Sequence, residues 1–161
     1  MKACRLVMGS DFAGYALKET LKQHLVKRGY AVTDVGCDDP AAMTPYDVAA
    51  CAAARMIQSG ECDRGILCCG TGAGVSIVAN KFRGVYAVAC ESVFTANRAA
   101  VINDANVLAF GARVMGEGNA IAAVDAWLGA GYLEGFPPER HQFLRDAFAR
   151  VRQLEAQTFR V

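Results

Sequence analysis

The residues with the most chemical capacity stand together in the run Cys69-Gly70-Thr71-Gly72-Ala73-Gly74. The glycines leave main-chain N–H groups uncovered where an apolar run gives way to a helical pattern, which makes an anion site by geometry and by helix dipole. The charge it holds is either resident on a ligand or develops during a reaction. A thiol just ahead of such a turn favours the thiolate, and a thiolate beside an oxyanion site serves as nucleophile or general base. Adjacent Cys68 and Cys69 point to opposite faces if they end a strand, so at most one is expected to be buried core while the other faces a site. A dinucleotide site is the rival reading, with the acidic Glu91 about twenty residues on. Against it, the spacing is GxGxG rather than GxGxxG, and Val75 stands where a third glycine would permit close helix packing. No Gly-Lys-Ser/Thr follows, as a phosphate-gripping loop would need.

The elements that must position this turn alternate regularly. Apolar runs at Cys4–Met8, Tyr30–Val35, Gly65–Cys69, Val85–Cys90 and Asn106–Phe110 have strand length, and several are apolar throughout, the pattern of parallel strands buried on both faces. Helical patterns fall between and after them, at Ala13–Arg28, Tyr46–Gln58, Ala73–Phe82, Val93–Ile102 and Glu117–Leu128. The first puts Ala13, Leu17, Leu21 and Leu25 on one stripe, with Lys18, Glu19, Lys22 and Lys27 away from it. Strand and helix in repetition predict one α/β domain over residues 1–161, a doubly wound five-stranded parallel sheet with helices on both faces. A final helix starting near Pro138, with Leu144, Phe148, Val151 and Leu154 on one side, lies outside the alternation and packs on its own sheet or on a second subunit. In such a sheet ligands bind beyond the carboxyl ends of the strands, where Gly9-Ser10-Asp11-Phe12, Cys69 to Gly74 and Glu91-Ser92 gather.

Bulk properties narrow the partners. With 161 residues, 53% of them hydrophobic, and a formal charge of +1, the chain carries no signal for nucleic acid or a membrane surface. Its apolar runs are too short to span a bilayer and no signal-peptide layout is present, so the expected location is cytoplasmic. Seven cysteines, odd in number and without paired metal-type spacing, read as reduced thiols.

Three stretches in order, GSDFAGYALKETL, CGTGAGVSIVANK and NDANVLAFGARVMG, resemble the ribose-5-phosphate isomerase B family, which includes the galactose-6-phosphate isomerase subunits; the likeness runs from about residue 4 to residue 145. The resemblance implies a Rossmann-like fold and a homodimer or tetramer with sites shared between subunits. It also implies cofactor-free and metal-free interconversion of aldose and ketose sugar phosphates through a cis-enediolate. By resemblance Cys69 is the base, Thr71 helps to shuttle hydroxyl protons, and the N–H groups of Gly70, Gly72, Ala73 and Gly74 hold the oxyanion. Asp11 matches a ligand of substrate hydroxyls, although an aspartate capping the first helix is the structural alternative. Asn103 matches a residue offered across the subunit interface, and Arg113 and Arg140 match phosphate ligands. His141 follows the family's Arg-His pair, whereas His24 reads as a helix-surface residue.

The departures bear on substrate. Phe12 and Ile102 stand where family members have histidines, the latter associated with opening a furanose ring. Thr44 replaces a tyrosine before proline, and Leu144 replaces a second arginine, with Arg145 one step displaced. Four-carbon sugars phosphorylated at the terminal hydroxyl cannot close a furanose ring and do not need the missing imidazole. The leading expectation by family frequency is ribose 5-phosphate/ribulose 5-phosphate. The alternatives are erythrose 4-phosphate/erythrulose 4-phosphate, a galactose-6-phosphate type subunit with an unlike partner, and a non-catalytic sugar-phosphate or nucleotide-binding module.

Overall fold

In a computed structural model that describes residues 4–159, five strands run parallel in one sheet: β1 (Arg5–Ser10), β2 (Ala31–Asp34), β3 (Arg64–Cys69), β4 (Ala87–Ala89) and β5 (Val107–Gly111). Their order is β2-β1-β3-β5-β4, so the chain leaves β1 toward one edge and resumes at β3 on the other side. The switch point between β1 and β3 opens the crevice in which a doubly wound sheet holds its ligand. Both strands deliver their loops there, Ser10–Gly14 and Cys69–Gly72.

Among the described residues six α-helices accompany the strands: α1 (Tyr15–Lys27), α2 (Tyr46–Gln58), α3 (Ala73–Ala79), α4 (Val93–Val101), α5 (Glu117–Leu128) and α6 (Pro138–Thr158). The period of two along each strand divides the core into two layers. Leu6, Met8, Ile66, Cys68, Leu108 and Phe110 pack with α1, α4 and α5. Val7, Leu67, Cys69, Val107 and Ala109 face α2 and α3. Among the described residues no helix is long and apolar enough to cross a membrane.

The differences from the sequence reading have local causes. A single 3-10 turn, Pro40–Ala42, lies in the connection that rises from β2 to α2. The expected strand Val85–Cys90 contracts to three residues, because the Asn106 side chain takes the Tyr86 N–H and donates to the Gly84 carbonyl. The helix from Ala73 ends at Ala79 rather than Phe82, the chain then tightening through short-range bonds toward Gly84. Lys18 is not on the solvent face: it is buried, and its Nζ bonds Asp34 at 2.6 Å and the Cys37 carbonyl at 2.8 Å. A helical period cannot register partners supplied by another strand.

Candidate active site

The loop after β3 is shaped by backbone packing. Gly72 has a φ of 80° and heads α3, and a Cβ there would lie 3.0 Å from the Phe110 carbonyl carbon. A Cβ on Gly111 would lie 2.6 Å from the Thr71 carbonyl carbon, and one on Gly14 would lie 2.4 Å from the Cys68 carbonyl. The loop is therefore wedged between the ends of β1 and β5, where only glycine admits so close a chain. Ala112 N–H donates to the Cys69 carbonyl at 2.8 Å and Arg113 N–H to the Gly70 carbonyl at 3.1 Å, which ties the far wall to it.

Both adjacent cysteines are buried, 0% and 5% exposed, which corrects the expectation that at most one would belong to the core. Their environments still separate them. Cys68 lies under α1, and burial, with Cys69 beside it, pushes its thiol far above the ordinary range. Cys69 faces the opposite layer, yet the loop curls back over it so that the Gly72 N–H donates to Sγ at 3.0 Å. Sγ thus meets the amide-lined turn although its side chain is packed.

The donors divide. Gly72 N–H serves the sulfur and Ala73 N–H reaches the Thr71 hydroxyl at 3.4 Å. The N–H groups of Gly70 and Gly74 meet no acceptor among the described residues, which leaves them to a ligand oxygen. Thr71 is exposed at the mouth. Asp11 is buried and accepts the Gly14 N–H at 2.8 Å; it thus ties the turn that precedes α1 rather than capping the helix, whose N-cap is Gly14, and no partner of its second oxygen lies among the described residues. Arg113 is exposed and runs its Cδ and Nε beside Gly70, 3.8 Å from where a Cβ would stand.

Asn103 and Arg140 are not brought to this loop. Asn103 follows the carboxyl end of α4, at the opposite edge of the sheet from Cys69, one strand length or roughly 20 Å away. It lines an apolar cleft with Ile102, Leu144, Ala147, Phe148 and Val151. Arg140 lies one helical turn before Leu144 and stacks on Phe136, 5.1 Å from the ring centroid. A cleft of about 510 Å³ lined by Asp63, Arg64, Tyr86, Asp104 and Arg152 also lies at that distant edge. Both histidines are engaged away from the loop, His24 with Asp125 at 2.8 Å and His141 with the Phe136 carbonyl at 2.8 Å. Sequence reasoning passed over Tyr46, whose ring edge lies 3.0 Å from where a Gly74 Cβ would stand. The Pro-Tyr start of α2, directed at the carboxyl edge of the sheet, is the signal that pointed to it.

A thiol held at an amide turn in the crevice of a doubly wound sheet is an arrangement suited to acid–base chemistry on a small anionic substrate. The model of the ribose/galactose isomerase family matches residues 6–144, and the chain belongs to that family. It is 42% identical over 156 residues to 4-deoxy-4-sulfo-D-erythrose isomerase of Clostridium sp. (strain MSTE9), covering 97% of this chain and 98% of that one. It is 44% identical over 149 residues to ribose-5-phosphate isomerase B of Escherichia coli (strain K12), covering 92% and 97%. The solved ribose-5-phosphate isomerase B of Clostridium thermocellum superposes with a TM-score of 0.86 at 38% identity, covering 95% and 98%. The protein is an aldose–ketose isomerase of the sugar-phosphate class.

Proposed function

We propose that the protein interconverts the aldose and ketose forms of an open-chain four-carbon sugar carrying a terminal phosphate or sulfonate. Cys69 is the base that moves a proton between C1 and C2. The enediolate oxygen formed beside it rests on the N–H groups of Gly70 and Gly74, with Ala73 at the flank, while Gly72 steadies the sulfur. Thr71 relays hydroxyl protons, Asp11 receives a sugar hydroxyl on its unengaged oxygen, and Arg113 meets the terminal anion.

The observation that carries the chain length is Ile102. It packs against the core and borders an apolar cleft, so nothing at this position exchanges a proton with a ring oxygen. A four-carbon sugar substituted at its terminal carbon has no furanose ring to open, and the likeness to the sulfo-erythrose isomerase supports the same reading. A pentose phosphate is the second reading, favoured by the 44% identity to the ribose-5-phosphate enzyme. Asn103 and Arg140 act on the site of a second copy of the chain, which explains their distance from the loop that their own chain carries.

Equilibration assays with tetrose phosphate, 4-deoxy-4-sulfotetrose and ribose 5-phosphate, run side by side, test the proposal. A kcat/KM at least about tenfold higher on a four-carbon substrate is expected. Faster turnover of the pentose phosphate overturns the chain-length reading, and no turnover of any of the three overturns the isomerase reading of Cys69.

A further inference from the structure

Tyr46 has no place in the roles above. It is the first residue of α2, set by the extended Pro45, and 46% of it remains exposed. Its ring lies flush against Gly74: a Cβ on that glycine would stand 3.0 Å from Cδ2 and Cε2 and 3.4 Å from Cζ. The phenol has no hydrogen-bond partner among the described residues.

The two layers of the core show which part of the substrate this ring faces. Cys69 points into the α2/α3 layer, and Tyr46 heads α2 on that same side of the sheet. Arg113 lies along Gly70, at the other end of the loop. A sugar with its anionic end at Arg113 and its C1–C2 bond at Cys69 therefore directs its reacting end toward α2. Proton donors are scarce there. Both histidines of the described chain are engaged elsewhere, and Phe12 and Ile102 supply none.

We propose that Tyr46 is the wall at the reacting end of the site, its ring covering the Cys69 thiol from water and its phenol donating a hydrogen bond to the nearest sugar oxygen. This rests on the isomerase reading for the hydrogen bond but not for the cover. A proton lifted from C2 by sulfur must reach C1 before solvent exchanges it, and a ring over the base retains that proton. The oxygen left negative at the enediolate stage takes a donor on the side that the loop amides do not reach.

The test uses the full-length protein with Tyr46→Phe and Tyr46→Ala. Tyr46→Phe keeps the ring and removes the donor; kcat on the best substrate falls about tenfold with KM little changed, the effect of one hydrogen bond made in the transition state. Tyr46→Ala shows the same loss and adds two effects that a merely structural residue would not produce. Turnover in deuterium oxide incorporates several-fold more deuterium into product, and iodoacetamide alkylates Cys69, located by peptide mass spectrometry, several-fold faster. Thermal melting confirms that the half-exposed ring can be removed without unfolding. Wild-type turnover, deuterium content and alkylation rate in Tyr46→Ala overturn the proposal. Faster alkylation in a protein whose wild type isomerises none of the substrates keeps the wall and removes the isomerase reading instead, so the two failures are distinguishable.

Discussion

Two parts of the molecule carry the residues expected to handle the substrate, and they are built differently. The loop from Cys69 to Gly74 is clamped by backbone, with Gly14, Gly72 and Gly111 admitting neighbouring main chain closer than any side chain would allow. The region of Ile102, Asn103 and Arg140 is made of helix ends joined by an apolar cleft and a cation over a ring. Proton transfer tolerates little error in distance, so the chemistry proposed for Cys69 falls where packing leaves no freedom. On the proposed reading, recognition of the rest of the sugar falls to side chains outside that clamp. Ile102 and Leu144, where the resemblance puts a histidine and an arginine, belong to this second part, whereas Phe12 lies in the Ser10–Gly14 loop beside the first.

The strongest way to break this contrast is at the paired cysteines. Cys69→Ala is expected to lower kcat by about 10³-fold, the scale of a lost general base, while Cys68→Ala leaves kcat within a factor of about two and costs roughly 1 kcal/mol of stability. Comparable losses from both would mean that the sulfur at 69 is not the base. Next in size is a mixing experiment on the two parts. Cys69→Ala and Arg140→Ala, each nearly inactive alone, are expected to recover about a quarter of wild-type activity when unfolded and refolded together. If the chain pairs with shared sites as proposed, half of the random dimers are then mixed and each carries one intact site. No recovery would place Arg140 outside the shared site.

A smaller effect probes the clamp itself. In Gly111→Ala the new Cβ meets Thr71 backbone at 2.6 Å, so the loop must move by several tenths of an ångström. A fall in kcat of about 10²-fold is expected, with far-ultraviolet circular dichroism unchanged. Retained activity would show that the loop is less constrained than its contacts imply.

The same contrast explains what was legible in the sequence. Strands and helices declared themselves through apolar runs, because strands buried on both faces have no choice of composition, and the glycines of the loop declared its close approach. The helices Tyr46–Gln58 and Glu117–Leu128 end where the periodicity ends. What stayed hidden depends on partners distant in the chain. The burial of Lys18 requires Asp34 from β2, the contact of Tyr46 requires Gly74 from α3, and the packing of both Cys68 and Cys69 requires the loop to fold back over the second. The distance of Asn103 from Cys69 follows from its place after the carboxyl end of α4, and that of Arg140 from the docking of α6, matters of topology rather than of residue type.

The smallest effect concerns what supports the clamped part from behind. Lys18 is buried with its ammonium on Asp34 and the Cys37 carbonyl, and the segment bearing Cys37 is bonded to Ser10 at the crevice. Burial alone would raise the Asp34 carboxyl, but hydrogen bonds from Lys18, Lys22 and the Gly36 N–H outweigh it and hold the group below the usual carboxylate range. A carboxyl depressed in the folded state contributes stability that is fully present above its unfolded value and disappears as pH falls through the folded one. Asp34→Asn is therefore expected to cost about 1 kcal/mol at neutral pH, screening of the half-exposed carboxylate keeping the figure small. The cost should vanish in acid, the two melting temperatures converging once wild-type Asp34 is itself protonated. Lys22 adds the opposite limb: burial would lower its ammonium, but Asp34 and Glu19 raise it, so its contribution holds below the ordinary lysine value and fades at higher pH. Melting temperature against pH for both proteins reads the two limbs together, and a constant offset across the acid range would show that Asp34 supports the loop by shape rather than by charge.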